Sequence, residues 1–356
     1  MSKREKGKRG KGEEWKGDRH YSELALAPFP LFSFSPLPSN ESDGPRMTKR
    51  FDVLGLGCAA VDDILYVPAY PPADGKVEVR ARERHCGGLC ATALVAAARL
   101  GATCGFAGSL GNDDGSLFVL DTFRRESVDT RHTVRRRAAG PVRSVIVVDE
   151  WRRTRNIFYH LPAMLGADVK QPGKEVILGT RVLLVDRFGI PGMIRASRIA
   201  RAAGIPVVAD FESFRLPRFR ELLALVDHLI VSENFARQFT GARTPAAAAE
   251  KLWRKDRAAV VITCGVRGCW FLDASMVRPQ RFPAYRIRTV DTTGCGDVFH
   301  GAYAAGLARG MPLVECLRLG SATAALKATQ HGGQAGIPRW RQVRAFLAGG
   351  SAWRPP

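Results

Sequence analysis

Asp291-Thr292-Thr293-Gly294-Cys295-Gly296-Asp297-Val298-Phe299-His300-Gly301-Ala302-Tyr303 joins a turn of small residues to a carboxylate at the mouth of an apolar helix. Gly294 and Gly296 let backbone N–H groups face a ligand without side-chain obstruction, and a helix starting near Cys295 adds the partial positive charge of its N-terminus. An anion fits such a turn. Asp297 belongs beside a bound anion only if it takes a proton. The run therefore reads as a phosphoryl-transfer site in which backbone donors hold the transferred group and Asp297 deprotonates the attacking hydroxyl. Taken alone, Gly-x-Gly-Asp is equally an ordinary helix cap or tight turn, so the decision passes to the rest of the chain.

Three upstream segments carry related signals. Phe51-Asp52-Val53-Leu54-Gly55-Leu56-Gly57-Cys58-Ala59-Ala60-Val61-Asp62 is an apolar strand run ending in glycines and an acid. Gly87-Gly88-Leu89-Cys90-Ala91-Thr92 opens an Ala-rich helical run that stops at Arg99-Leu100-Gly101. Val260-Val261-Ile262-Thr263 is β-branched and leads into a turn bearing Gly265 and Gly268. Strand-like runs at Phe51–Gly55, Val182–Asp186, Pro206–Asp210, His228–Val231 and Ala259–Thr263 alternate with helical ones at Leu89–Leu100, Arg195–Ala203, Pro245–Arg254, Val298–Ala308 and Leu313–Thr329. That alternation predicts an α/β fold: a mostly parallel sheet with helices on both faces and ligands at the carboxyl ends of its strands. Val77–Arg84 and Val142–Tyr159 break the pattern as arginine-rich strands without intervening helices.

In this order, the segments resemble the signatures of the PfkB, or ribokinase-like, family of carbohydrate kinases, and the likeness runs from about residue 51 to about 345. The resemblance implies a doubly wound sheet with a small β-sheet lid, built from strands within about 64–86 and 142–160, that closes over the sugar and forms a homodimer contact. It implies ATP and Mg²⁺ as cofactors and transfer of the γ-phosphoryl group to a hydroxyl of a sugar or sugar derivative. Asp297 is then the base, and Gly294, Cys295 and Gly296 form the anion hole. Asp62, Gly87 and Gly88 hold sugar hydroxyls, with Thr92 where the family usually has Asn, so the hydroxyl pattern read there differs. Thr263, Gly265 and Gly268 lie along the ATP phosphates and ribose, and Ser321, Ala324 and Gly333 enclose the adenine. Carbonyls near Asp291 and Thr293 are placed as in members that bind a monovalent cation such as K⁺. The family's Asn-x-x-Glu motif is replaced by Ser232 and Phe235, leaving Glu233 either to reach Mg²⁺ through water or to cap the following helix. Motif details are most similar to the sulfofructose-kinase-like branch, whose ketose substrate is anionic. Lys76 and Arg187 are the candidate anion contacts by position, each more readily read as a surface base of a basic protein. Tyr159 and His160 depart from that branch. A nucleoside or phosphosugar acceptor is the alternative within the fold.

Composition fits a large folded domain: 356 residues, 46% hydrophobic and 25% charged. Residues 1–46 differ in kind, with charge-rich and then Pro-rich stretches that cannot pack a core, and Met47 precedes a natural run into the first strand. The expected organisation is a disordered leader over 1–46, or a start at Met47, followed by a kinase domain over 47–356. The formal net charge is +20, of which nine basic and seven acidic residues at 1–46 leave +18 for the remainder. Such charge raises nonspecific nucleic-acid binding by a catalytically silent protein as the reading from another class. Scattered arginines and the lack of a nucleic-acid-binding motif argue against it. Eight cysteines without a Cys-x-x-Cys pair, and no apolar span long enough for a bilayer, point to a cytoplasmic protein.

Overall fold

The computed structural model describes residues 50–152 and 154–349. The leader expected over 1–46 and the start at Met47 lie outside the described residues.

Nine strands form the central sheet. In spatial order they are β16 (Gln280–Phe282), β15 (Cys269–Asp273), β14 (Ala259–Thr263), β13 (His228–Ser232), β12 (Val207–Asp210), β11 (Thr180–Val185), β1 (Phe51–Leu56), β4 (Cys104–Phe106) and β6 (Val128–Asp129). The run from β14 to β6 is parallel, while β15 and β16 add on antiparallel. Period-2 alternation sorts its side chains into two cores. Val53, Val182, Leu184, Val208, Ile230 and Val261 face α1 (Leu89–Arg99), α2 (Asp114–Arg125), α8 (Cys295–Ala308), α9 (Leu313–Ala328) and α10 (Trp340–Ala348). Leu54, Leu183, Val185, Val207, Leu229 and Val260 face α3 (Lys174–Leu178), α4 (Ile190–Ala202), α5 (Phe219–Ala224), α6 (Glu233–Thr240) and α7 (Pro245–Leu252). Both faces are covered, which is why these strands read as unbroken apolar runs.

A second sheet orders β3 (Ala81–Gly87), β2 (Ala60–Val67), β8 (Val142–Asp149) and β9 (Thr154–His160). β2 follows β1 after three residues, so the chain leaves the central sheet directly into this one. The strand expected from Val77 starts only at Ala81. Residues 68–80 form a largely exposed, proline-containing loop instead, since Pro71, Pro72 and the positive φ of Asp74 oppose strand pairing. A small third sheet joins β10 (Gly166–Ala167), β5 (Gly108–Leu110) and β7 (Val134–Arg135).

Gly301 sets how closely α8 packs on α1. A Cβ there would stand 2.0 Å from the Ala93 carbonyl oxygen, so only glycine permits this approach. Within the arginine-rich run at 131–143, Arg131 pairs with Asp129, Arg135 donates to the Gly111 carbonyl and Arg143 pairs with Asp113, while Arg136 and Arg137 are exposed. No helix among the described residues is long and apolar enough to cross a membrane.

Candidate active site

Gly294 is the residue before α8, at φ 73°, a left-handed conformation that suits glycine. The approach to it is braced from both ends. The Val290 and Asp291 amides donate to the Ala328 carbonyl at the end of α9, at 2.7 and 3.1 Å. The Asp291 carboxylate accepts from the Thr293 amide at 2.8 Å and from the Gly332 amide at 2.9 Å. Burial opposes ionisation of Asp291, but these amides, the Thr293 hydroxyl and Lys327 outweigh it and hold the carboxyl below the usual range. The Asp291 carbonyl, which the resemblance gave to a monovalent cation, accepts from Lys327 Nζ at 2.9 Å. Lys327 is fully buried. Burial pulls its pKa down, and the nearby Cys295, Asp291 and Asp297 pull the other way.

Asp297 lies in the first turn of α8, with Val298 behind it in the core. Burial pushes its carboxyl well above the usual range, and negative charge on Asp210, Glu212 and Asp186 adds to the push, with His300 opposing. Asp210 ends β12 and is raised in the same way by burial, Glu212 and Asp186. Asp186, just past β11, accepts from the Cys58 and Phe188 amides, both at 2.7 Å, yet burial still lifts it to about 6. His300, one turn beyond Gly296, has Nδ1 2.8 Å from the Gly296 carbonyl and Nε2 3.0 Å from the Ile230 carbonyl, tying the first turn of α8 to β13. Its Nδ1 is also 3.2 Å from Asp210 Oδ2, without the alignment of a hydrogen bond. Asp186, Asp210, Glu212 and His300 escaped the sequence reading as site residues. Their signal was position, because Asp186, Asp210 and Glu212 stand at or just past the carboxyl ends of predicted strands, where open α/β sheets bind ligands.

On the acceptor side, Asp62 of β2 lies over Gly87 of β3, and a Cβ on Gly87 would stand 2.4 Å from its Oδ2. Burial raises the Asp62 pKa against a hydrogen bond from Ser144. Gly88 is the residue before α1, and Thr92 follows in that helix, buried, its Oγ1 accepting from Gln334 Nε2 at 3.2 Å. A Cβ on Gly294 would meet the Thr92 methyl and the Gly333 Cα, each at 3.5 Å. The anion turn, the start of α1 and the loop after α9 therefore converge. Arg187 stacks on Phe188, 4.2 Å from the ring centroid. Its Nε is buried, without a hydrogen-bond partner, and 3.9 Å from Glu212 Oε2, an ion-pair distance beyond hydrogen-bond length. Lys76 is exposed on the 68–80 loop, and none of these contacts reaches it.

Thr263 ends β14, and Gly265 and Gly268, both at positive φ, bound the turn that follows. Glu233, in the first turn of α6, pairs with Arg267 of that turn. The cap of α6 is Ser232, whose Oγ accepts from the Phe235 amide at 3.2 Å, so the capping option considered for Glu233 belongs to its neighbour. Ser321 and Ala324 lie on α9, and the Ala324 carbonyl is 3.6 Å from Cys295 Sγ, a thiol whose pKa burial raises. Arg155 of β9 was not foreseen: its guanidinium donates to Thr293 Oγ1 at 3.0 Å, bringing the second sheet onto the anion turn.

A sequence model described as pfkB family carbohydrate kinase matches residues 52–340. The chain belongs to this family. It is 27% identical to the ribokinase of Staphylococcus aureus over 305 residues, covering 82% of this chain and 98% of that one. It is also 27% identical to the 5-dehydro-2-deoxygluconokinase of Shouchella clausii over 322 residues, covering 84% of this chain and 96% of that one. Among solved structures, Arabidopsis thaliana ribokinase complexed with ribose and ATP shares the fold with a TM-score of 0.74 at 21% identity, covering 85% of this chain and 99% of that one. The pfkB assignment takes in all three sheets and runs from β1 to the start of α10.

Proposed function

We propose that this pfkB protein is an ATP-dependent sugar kinase that transfers the γ-phosphoryl group of ATP to an acceptor hydroxyl, with Asp297 as the base and the Gly294-Cys295-Gly296 turn as the anion hole. The observation that carries the reading is the position of Asp297, in the first turn of α8 beside that glycine turn, with a carboxyl made more basic by burial and by Asp210 and Glu212. An ionised Asp297 takes the hydroxyl proton as the acceptor oxygen attacks. The turn amides and the positive end of α8 stabilise charge on the transferred group. Asp62 and the Thr92 hydroxyl orient the acceptor, and Gln334 fixes the Thr92 rotamer. The Arg187 Nε, which has no hydrogen-bond partner and only a 3.9 Å ion-pair distance to Glu212, supports an anionic substituent on a ketose-like acceptor.

Thr263, Gly265, Gly268, Ser321, Ala324 and Gly333 are assigned to ATP; of these, Ala324 and Gly333 border the anion turn that Arg155 contacts. Among the described residues no three His, Cys, Asp or Glu side chains form a metal cage. Mg²⁺ would enter with the nucleotide, and Asp210, Glu212 or water on Glu233 would be its protein contacts. When bound, Mg²⁺ supplies charge neutralisation on the phosphates. Val145 and its cross-strand partner Phe158, with Ile157 and Tyr159, leave apolar surface exposed on the lid sheet, which supports a homodimer formed through it. Eight free cysteines suit a reducing, cytoplasmic setting.

The test is ADP release from MgATP against ketoses, aldoses, phosphosugars, sulfosugars and nucleosides, run beside Asp297→Asn. An acceptor-dependent signal that falls roughly 10²- to 10⁴-fold in kcat in the variant, with KM for the acceptor little changed, is expected. Equal turnover in the variant removes Asp297 as the base, and a response to nucleosides alone moves the substrate class.

A further inference from the structure

The anion turn contains a cation of its own. Lys327, in the last turn of α9, is fully buried and donates from Nζ to the Asp291 carbonyl at 2.9 Å, with Asp291 Oδ2 at 3.9 Å. Asp291 is the residue whose carboxylate fixes the Thr293 and Gly332 amides, so the ammonium sits at the base of the segment that presents Gly294 and Gly296. The end of α9 favours positive charge there, because the helix dipole leaves its C-terminus negative. A monovalent ion bound to the same carbonyl would lie against the ammonium, and two like charges at that separation in a buried site repel strongly. The residues present therefore do not fit the cation that the resemblance implied. We propose that the Lys327 ammonium replaces it: a tethered positive charge that orients the peptide groups of the anion turn, so that this chain needs no monovalent cation. Lys327 is then a positioning residue, acting through Asp291 on the donors that face the phosphoryl group. The inference about catalysis rests on the kinase reading, whereas the inference about the site does not.

Two measurements test it. The first is binding of Tl⁺, a K⁺ surrogate, to the full-length wild type and to Lys327→Ala by equilibrium dialysis, a readout independent of turnover. Wild type should bind none at this site. The variant, which keeps the Asp291 carbonyl and carboxylate and gains the vacated space, should bind one Tl⁺ that K⁺ displaces. The second is turnover in KCl, NaCl and choline chloride. Wild-type rates should agree across the three salts. Lys327→Ala should lose roughly 10- to 100-fold in kcat in choline and regain most of it in K⁺ or methylammonium. Activation of the wild type by K⁺, or a wild-type Tl⁺ site that Lys327→Ala abolishes, overturns the proposal. So does a folded variant whose loss no monovalent cation relieves. Where Lys327→Ala does not fold, the wild-type salt series and dialysis decide alone. Where no acceptor is phosphorylated, the kinase reading fails and the Tl⁺ result still stands or falls separately.

Discussion

Asp297 works in a crowd of like charge. Burial, then Asp210 and Glu212, raise its pKa, so a proton is lost from it only at a higher pH than from a solvated carboxyl. Because a base must be unprotonated, kcat/KM should fall as pH drops through that pKa. Asp210→Asn removes the neighbouring carboxylate with the stronger influence on Asp297 while keeping the shape, so the acidic limb of the pH profile should move to lower pH. A limb that stays in place, measured with saturating MgATP, would mean that Asp210 does not couple to the base. At this scale the sequence disclosed what lies in the glycine turns and stayed silent on what folding brings to them. Gly294, Gly296 and Asp297 could be named because their chemistry is contiguous. Asp186, Asp210, His300 and Lys327 could not, since each looks like an ordinary strand-end or helix residue until long-range packing sets it against the turn. Arg155 depends on a sheet that folds back across more than a hundred residues of chain.

Among the elements, α8 has to serve two masters, presenting Asp297 at one end and packing on α1 along its length. Gly301 makes the packing possible, since a Cβ would lie 2.0 Å from the Ala93 oxygen and 2.7 Å from its carbonyl carbon. Gly301→Ala should destabilise the fold by about 1–3 kcal/mol through forced separation of the helices, read as a lower urea midpoint. It should also weaken turnover, because α1 carries Thr92 and α8 carries Asp297. An unchanged midpoint would show that the contact relaxes without cost. Most of these elements were legible because buried parallel strands and Ala-rich helices have strong periodic signals. β1, β12, β14, α1 and α9 fall within a residue or two of their predicted spans. The amphipathic α2 went unassigned, α6 was expected only as the helix after Glu233, without a span, and the antiparallel β15 and β16 depart from the strand-helix alternation. α4 begins at Ile190, five residues before its expected start, because Pro191 suits the first turn of a helix.

Across the whole molecule, the positive charge is spread by pairing. Arg80 meets Glu150, Arg84 meets Asp63, Arg99 meets Glu126 and Arg201 meets Asp227. Such pairing consumes acidic partners while leaving the net value of +20 untouched, which is why composition foretold the charge and not its arrangement. The 68–80 loop has a different significance. It is the exposed link between β2 and β3, it holds Lys76, and the strands before it are gripped on both sides, β1 by β4 and β11, β2 by β3 and β8. The architecture should therefore survive a break in the chain at Lys76. A single cut there by a lysine-specific protease should leave two polypeptides that migrate as one species in native size exclusion and part only in denaturant. Separation without denaturant would refute it. Residues up to 76 would then act as a strand-donating fragment, and the protein could be reassembled from two independently made pieces.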